Sequence, residues 1–193
     1  MSSSRNVAAK SALSLRALGR MAIEFAAVSC VYVAVTENIV GVGDIKGASM
    51  QPTLNPPPAH PDESPTRDYV LIDKLSLRMR DVQRGEVVMV RSPLERNRWL
   101  VKRVLAVPGD LVKPVNNPNR YFRIPKGHCW IEGDNVVNSQ DSNDYGPVSM
   151  SLVEGVVKRI VWPPSRIGPI PEHQIQEGRV SIPDTPAESF GES

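Results

Sequence analysis

The sequence predicts a mainly β protein, an antiparallel sheet or barrel-like body behind one N-terminal transmembrane helix. Three observations carry that reading. All eighteen prolines of the 193 residues lie at or after Pro52, so the first part of the chain is free to be helical while the rest is punctuated by turns. A mostly apolar segment, Met21–Val42, follows a basic flank. From Asp68 onward, β-branched and aromatic residues come in short runs between turn clusters, the spacing of strands. The length suits one well-cored domain with extensions. With 23 Lys and Arg against 21 Asp and Glu, the net charge is +2, which gives no sustained positive field for nucleic acid.

The elements follow in order. Residues 1–20 hold Arg5, Lys10, Arg16, Arg20 and five serines but no acid, a flank that suits either a mitochondrial targeting segment or the positive-inside side of an anchor. Residues 21–42 read as the anchor, at about 33 Å of helix for a ~30 Å hydrocarbon core. Glu24 and Glu37 shorten its clean run to Phe25–Val35, so a helix packed on the domain is the plain alternative. Residues 43–162 form the body. Asn55–Arg67, with five prolines, is an exposed loop. Strands are expected at Tyr69–Ile72, Glu86–Arg91, Trp99–Val107, Cys129–Glu132 and Val156–Trp162, with a hairpin at Ser92–Asn97 and a turn at Pro108-Gly109-Asp110. Residues 163–193, rich in proline and carrying five acids, read as a mostly disordered tail.

Most site chemistries are excluded by spacing. His60, His128 and His173 and the two cysteines, Cys30 and Cys129, form no zinc pattern, and two ligand positions fail in the calcium-like run from Asp141. No metal and no cofactor is expected. His128 and Cys129 are neighbours on a strand and point to opposite faces, so they do not pair as base and thiol. Gly-x-Ser-x-Gly is absent, and a serine enzyme here needs another base. Lysine meets that need only when desolvation lowers its pKa. Lys102 lies in the most apolar strand, Trp99–Val107, with Arg103 pointing the other way; as a bare feature it reads more readily as an outward, snorkelling surface residue. Ser49 stands after the apolar segment between small residues and Pro52, with its amide free to face a bound carbonyl, although a serine between glycine and proline is ordinarily a loop residue. Gly133-Asp134-Asn135 reads as readily as a plain turn, with Asp134 as its cap, as a functional motif, and Asp73-Lys74 reads as a surface pair or strand-end charges.

Three segments together resemble a family. Ser49-Met50-Gln51-Pro52-Thr53-Leu54, then Lys102-Arg103-Val104-Leu105-Ala106-Val107-Pro108-Gly109-Asp110, then Gly133-Asp134-Asn135 through Asn138-Ser139-Gln140-Asp141-Ser142 and Tyr145-Gly146-Pro147-Val148 are similar in order and spacing to the type I signal peptidases, over roughly residues 40–162. The small size, the basic flank and Asn143 are most like the members of the mitochondrial inner membrane. The resemblance implies the signal-peptidase fold and a membrane-bound serine endopeptidase. In it, Ser49 is the nucleophile, Lys102 the general base and Ser139 the group orienting the lysine. Asp141 braces from behind, and Ile45 lines the pocket for small substrate side chains. It also implies precursor proteins with cleavable sorting sequences as substrates and contact with membrane lipid. A heterodimer with a related catalytic subunit follows too, with the body facing the intermembrane space. Two departures stand out. Bacterial members pair the equivalent of Asp141 with an arginine two positions on, where this chain has Asn143, and carry a serine as oxyanion donor where this chain has Gly47. A bacterial or plastid-type peptidase, or an idle tethered subunit supporting a catalytic partner, are the alternatives. A self-cleaving repressor would need a DNA-binding domain that residues 1–40 do not provide.

Overall fold

The computed structural model describes residues 2–58, 60, 62, 64–173 and 178–182. It divides into a helical unit ending at Ile39 and a β unit beginning at Val40. The helical unit is α1, Ser2–Asn38. Its segment Leu18–Asn38 is 21 residues, about 31 Å of helix, long enough for a ~30 Å hydrocarbon core. Leu18, Phe25, Val28, Val31 and Tyr32 along it are exposed, a face that water does not favour.

The helix ends earlier than the apolar segment. Ile39, Val40 and Val42 are β-branched and alternate with Gly41 and Gly43, a poor helical stretch, and Val40–Asp44 is strand β1. The expected anchor boundary at Val42 therefore moves back to Asn38.

The strands that follow are β2 (Tyr69–Asp73), β3 (Val87–Arg91), β4 (Trp99–Ala106), β5 (Leu111–Val112), β6 (Phe122–Arg123), β7 (His128–Glu132), β8 (Val148–Ser149), β9 (Val153–Trp162), β10 (Gly168–Pro169) and β11 (Val180–Ser181). The main sheet runs β1-β2-β9-β3-β4-β7-β8, with β10 also paired to β9, and a small sheet runs β11-β5-β6. Every pairing is antiparallel. Register shifts interrupt β2 against β9, β3 against β9 and β4 against β7. Such bulges raise local twist and curl a sheet toward a barrel. The mainly antiparallel β fold is thus as the sequence predicts, and each of the five expected strands is present within a few residues.

Both faces of the sheet are covered, so alternate residues feed two cores. Val87 and Val157 join Ile45, Met50, Leu54, Val70, Ile72 and Ile160 on one side. Val88, Val104 and Val156 join Val82, Val90, Cys129, Ile131 and Val148 on the other. A third cluster gathers Leu105, Ala106, Val112, Ile124 and Trp130 beside the small sheet.

The chain after Trp162 departs from the expected disordered tail. Pro164–Arg166 is a 3-10 turn, Gly168–Pro169 pairs with Ile160 and Arg159, and Val180–Ser181 pairs with Val112 and Leu111. Composition alone hid this because two-residue strands have no period to detect, and prolines suit edge strands, where no ladder donor is needed. Residues 174–177 and 183–193 lie outside the described residues.

Candidate active site

Ser49 lies on the loop that leaves β1, half-buried, beside the fully packed Met50 and Leu54. Those two side chains pin the loop to the first core. The Leu54 amide donates to the Met50 carbonyl and the Gln51 amide to the Ala48 carbonyl, and Gln51–Pro52 is a cis peptide. The loop is also clamped from outside. The Asn135 amide donates to the Ser49 carbonyl at 3.0 Å and its side chain to the Ala48 carbonyl at 3.1 Å. At the far end, Asn55 sits at φ 51°, a left-handed geometry that asparagine tolerates. Its side chain donates to the Ile45 carbonyl and accepts from the Asp68 amide, while its own amide donates to the Asp68 carboxylate. Arg166 then holds Asp68 through two nitrogens at 2.9 and 3.1 Å and donates to the Thr53 carbonyl.

Lys102 is 2% exposed, because β4 is a central strand and Lys102 faces Val88 of β3 across the ladder. The snorkelling alternative is removed by that burial. Loss of hydration disfavours the ammonium and lowers the Lys102 pKa below its ordinary 10.5; nearby Asp141 and Asp144 oppose the shift, and Arg98 adds to it. Its Nζ lies 2.8 Å from Ser139 Oγ. The Ser139 hydroxyl donates to Asp141 Oδ2 at 2.5 Å, and the Gly133 amide donates to both Ser139 Oγ and Asp141 Oδ2. With its single proton committed to Asp141, Ser139 Oγ is an acceptor for an N–H of Lys102. A neutral Lys102 so held keeps its lone pair for another donor.

Gly133 is required by space rather than by φ. A Cβ there would lie 2.4 Å from both Ser139 Oγ and the Ser49 carbonyl oxygen, so the absence of a side chain lets the Ser49 loop and the Ser139 turn close on one point. Of the two readings left open for Asp134, the turn cap is not seen: Asp134 holds Arg103 through two bonds of 2.8 Å, with both side chains buried. Arg103 does point away from Lys102, yet it too is interior. Asp73 ends β2 and accepts from the amide and hydroxyl of Ser76, the first residue of α2 (Ser76–Met79), which lowers its carboxyl pKa.

Asp141 is fully satisfied without a guanidinium at position 143. Its Oδ1 accepts from the Asn143 amide at 3.1 Å and from Asn143 Nδ2 at 2.9 Å, and it caps the short α3, Ser142–Tyr145. Asn143 Nδ2 also reaches Glu132 Oε1 at 3.0 Å. The sequence reading missed Glu132, which is visible there only as an acid inside an apolar strand.

Ser49 and Lys102 line one cleft of about 510 Å³ together with Gly47, Ala48, Val101, Asn138, Gln140 and Tyr145. A second cleft of about 480 Å³ shares Gly47, Ser49 and Val101 and adds the apolar Ile45, Met50, Ile72 and Met89. Ile45 and Ser49 line this second cleft together. Gly47 has φ +87°, a conformation that other residues adopt only with strain. Cys129 is buried in the second core and its thiol is pushed up to about 12 by burial, which leaves it unreactive. Among the described residues no His, Cys, Asp and Glu cluster suits a metal ion. The arrangement places a hydroxyl and a desolvated amine with a fixed partner in the walls of one cleft, a combination suited to acyl transfer.

The family model described as signal peptidase, peptidase S26, matches residues 18–118 and 112–162. Mitochondrial inner membrane protease subunit 2 of Danio rerio is 46% identical over 136 residues, 70% of this chain and 72% of that protein. Mitochondrial inner membrane protease subunit 1 of Homo sapiens is 33% identical over 143 residues, 72% of this chain and 80% of that protein. A crystal structure of a signal peptidase I from Enterococcus faecalis has a TM-score of 0.34 and 22% identity over 40% of this chain and 97% of that one.

Proposed function

Because the chain belongs to the signal peptidase family, peptidase S26, we propose that Ser49 and Lys102 are its nucleophile and general base. The chain is a serine peptidase with a signal-peptidase-like function at the mitochondrial inner membrane, as its relatives' names support. The finer reading is removal of sorting sequences from precursors delivered to the intermembrane space. The observation that carries the serine–lysine assignment is Lys102 itself: a buried, desolvated lysine whose N–H is directed to Ser139 while the cleft it lines also contains Ser49.

In this mechanism Ser49 Oγ attacks the scissile carbonyl as its proton passes to Lys102 Nζ. The resulting ammonium keeps its bond to Ser139 and is steadied by Asp141 behind it. The ammonium then protonates the leaving amine, and water, deprotonated by the same lysine, hydrolyses the acyl-enzyme. Ser139 and Asp141 orient the base, and the Ser49 amide is the oxyanion donor. Ile45 and its apolar neighbours shape the pocket for a small side chain.

Both subunit names among the relatives support a protease complex with other subunits, and a related catalytic subunit is the expected partner. The helix Leu18–Asn38 supports a single lipid-embedded anchor, with basic residues 1–20 on the matrix side and the catalytic body in the intermembrane space. The test replaces this chain by Ser49→Ala in an organelle and follows precursors, with both subunits quantified. Precursors accumulating while both subunits persist is the expected result. Normal processing would make the chain a scaffold.

A further inference from the structure

Behind the Lys102–Ser139 pair, one set of hydrogen bonds runs on past Asp141. Asn143 Nδ2 bridges Asp141 Oδ1 at 2.9 Å and Glu132 Oε1 at 3.0 Å. Glu132 also accepts from Trp130 Nε1 at 2.7 Å, and Arg179 grips it with two nitrogens at 2.7 and 2.6 Å. The Arg179 and Glu132 side chains are 12% and 9% exposed.

We infer that Arg179, in the segment after the main sheet, is a positioning residue for the catalytic lysine, acting through Glu132, Asn143, Asp141 and Ser139. The inference rests on the serine–lysine reading above. Three features make it more than a surface contact.

The bridge has a fixed orientation. Asn143 Oδ1 accepts from the Val115 amide at 2.8 Å, so its NH2 group must face the two carboxylates. Arg179 is equally fixed by its backbone: its carbonyl accepts from the Lys113 amide, its guanidinium donates to the Lys113 carbonyl, and Val180 next to it pairs with Val112. Residues 113–115 therefore hold both ends of the relay.

Charge is the third feature. Glu132, Asp141 and Asp144 are linked in this cluster, with Asp144 accepting from the Asp141 amide. Arg103, the register partner of Glu132 on β4, is committed to Asp134. Among the described residues, Arg179 is the guanidinium that compensates Glu132. Without it, Glu132 is a buried, uncompensated charge. It would relax by turning from Asn143 toward water, and the carboxylate that holds Ser139 would lose its fixed partner. The cation that this chain lacks at position 143 is thus supplied to the same network from a remote segment.

The test uses the full chain in complex with its partner subunit and, as substrate, a precursor found to accumulate with Ser49→Ala. Arg179→Met is expected to lower kcat about tenfold or more with KM within about twofold, measured per folded enzyme. Arg179→Lys should recover part of the rate. The double variant Arg179→Met with Glu132→Gln, which removes both charges and keeps an acceptor for Asn143, should approach the wild-type rate and carries the test if the single variant does not accumulate. A wild-type kcat for Arg179→Met, or a double variant as slow as the single one, overturns the inference. Cleavage that survives Ser49→Ala fails the serine–lysine reading itself, a different outcome.

Discussion

The two sides of the cleft are built by opposite means. On the side of the proposed nucleophile, Ser49 rides a loop that is held through its backbone and by the packed Met50 and Leu54: Asn135 binds the carbonyls of Ala48 and Ser49, and Asn55 and Arg166 bind those of Ile45 and Thr53. On the base side, Lys102 stands on a central strand and is held side chain to side chain by Ser139 and Asp141. The difference follows from what each group must do. A nucleophile has to meet substrate in an open cleft, so its own side chain cannot be tied down; a lysine base has to lose water, so it must be interior and its polar neighbours must be satisfied. Changes on the base side should therefore alter the chemical step in a fold that survives, whereas changes on the nucleophile side should alter how the loop is held.

The largest break in that contrast is Lys102→Arg. The guanidinium stays protonated and accepts no proton from Ser49, so cleavage should fall on the order of 10⁴-fold or more while circular dichroism and subunit assembly are kept. As the proposed base, Lys102 works in its neutral form, which desolvation favours by lowering its pKa. The rate should therefore rise with pH through a limb below 10.5, and a pH profile of kcat/KM measures it. An arginine variant that still processes precursor would remove Lys102 from the mechanism.

Gly133→Ala attacks the point where the two sides touch. The added methyl would sit 2.4 Å from Ser139 Oγ and from the Ser49 carbonyl, forcing the loop and the turn apart. A displacement near 1 Å costs about 100-fold in kcat, so the variant should be slow but folded. Near-normal turnover would show that the cleft adjusts its two walls independently.

These two positions also show what was legible in the chain. Lys102 and Ser49 could be singled out because a lysine in an apolar strand and a serine before a proline are local features, and their order with the Asn138–Ser142 run carried the rest. Gly133 reads locally as any turn glycine; its role depends on two segments more than 80 residues apart in sequence, as the Asn135 contact to Ala48 shows. Arg166 and Arg179 were hidden for a different reason. Both lie in a stretch whose prolines and acids resemble a solvated tail, and their partners Asp68 and Glu132 are distant in sequence. Long-range ion pairs leave no periodic trace. The strands were readable because period two is local, and β1 was misassigned because its β-branched residues simply extend an apolar run.

A smaller effect is expected on the nucleophile side from Arg166→Met. Asp68 is fully buried, and removing its guanidinium partner leaves an uncompensated carboxylate that still accepts from the Asn55 amide. Destabilisation of about 3 kcal/mol is expected, read as a lower midpoint in chemical denaturation, with the remaining folded enzyme close to normal in kcat. A large kcat loss in the folded fraction would mean that this clamp, like the base side, is tuned to chemistry.

The smallest change tests how much freedom the nucleophile loop has. Gly47 has φ +87° and nothing within 4 Å of where a Cβ would stand, so the cost of Gly47→Ala is backbone strain alone, about 1 kcal/mol. Gly47→Ser should cost the same, because the extra oxygen also enters open space. With the loop carbonyls still clamped by Asn135 and Asn55, kcat should stay within about threefold of wild type for both variants. The comparison is sharpened by the kinetic split: a raised KM at unchanged kcat would show that the bare backbone at Gly47 makes room for the substrate chain, since uniform binding is then lost without touching the transition state. A tenfold fall in kcat would instead place Gly47 on the chemical side of the cleft, and the division between a backbone-held nucleophile and a side-chain-held base would have to be redrawn.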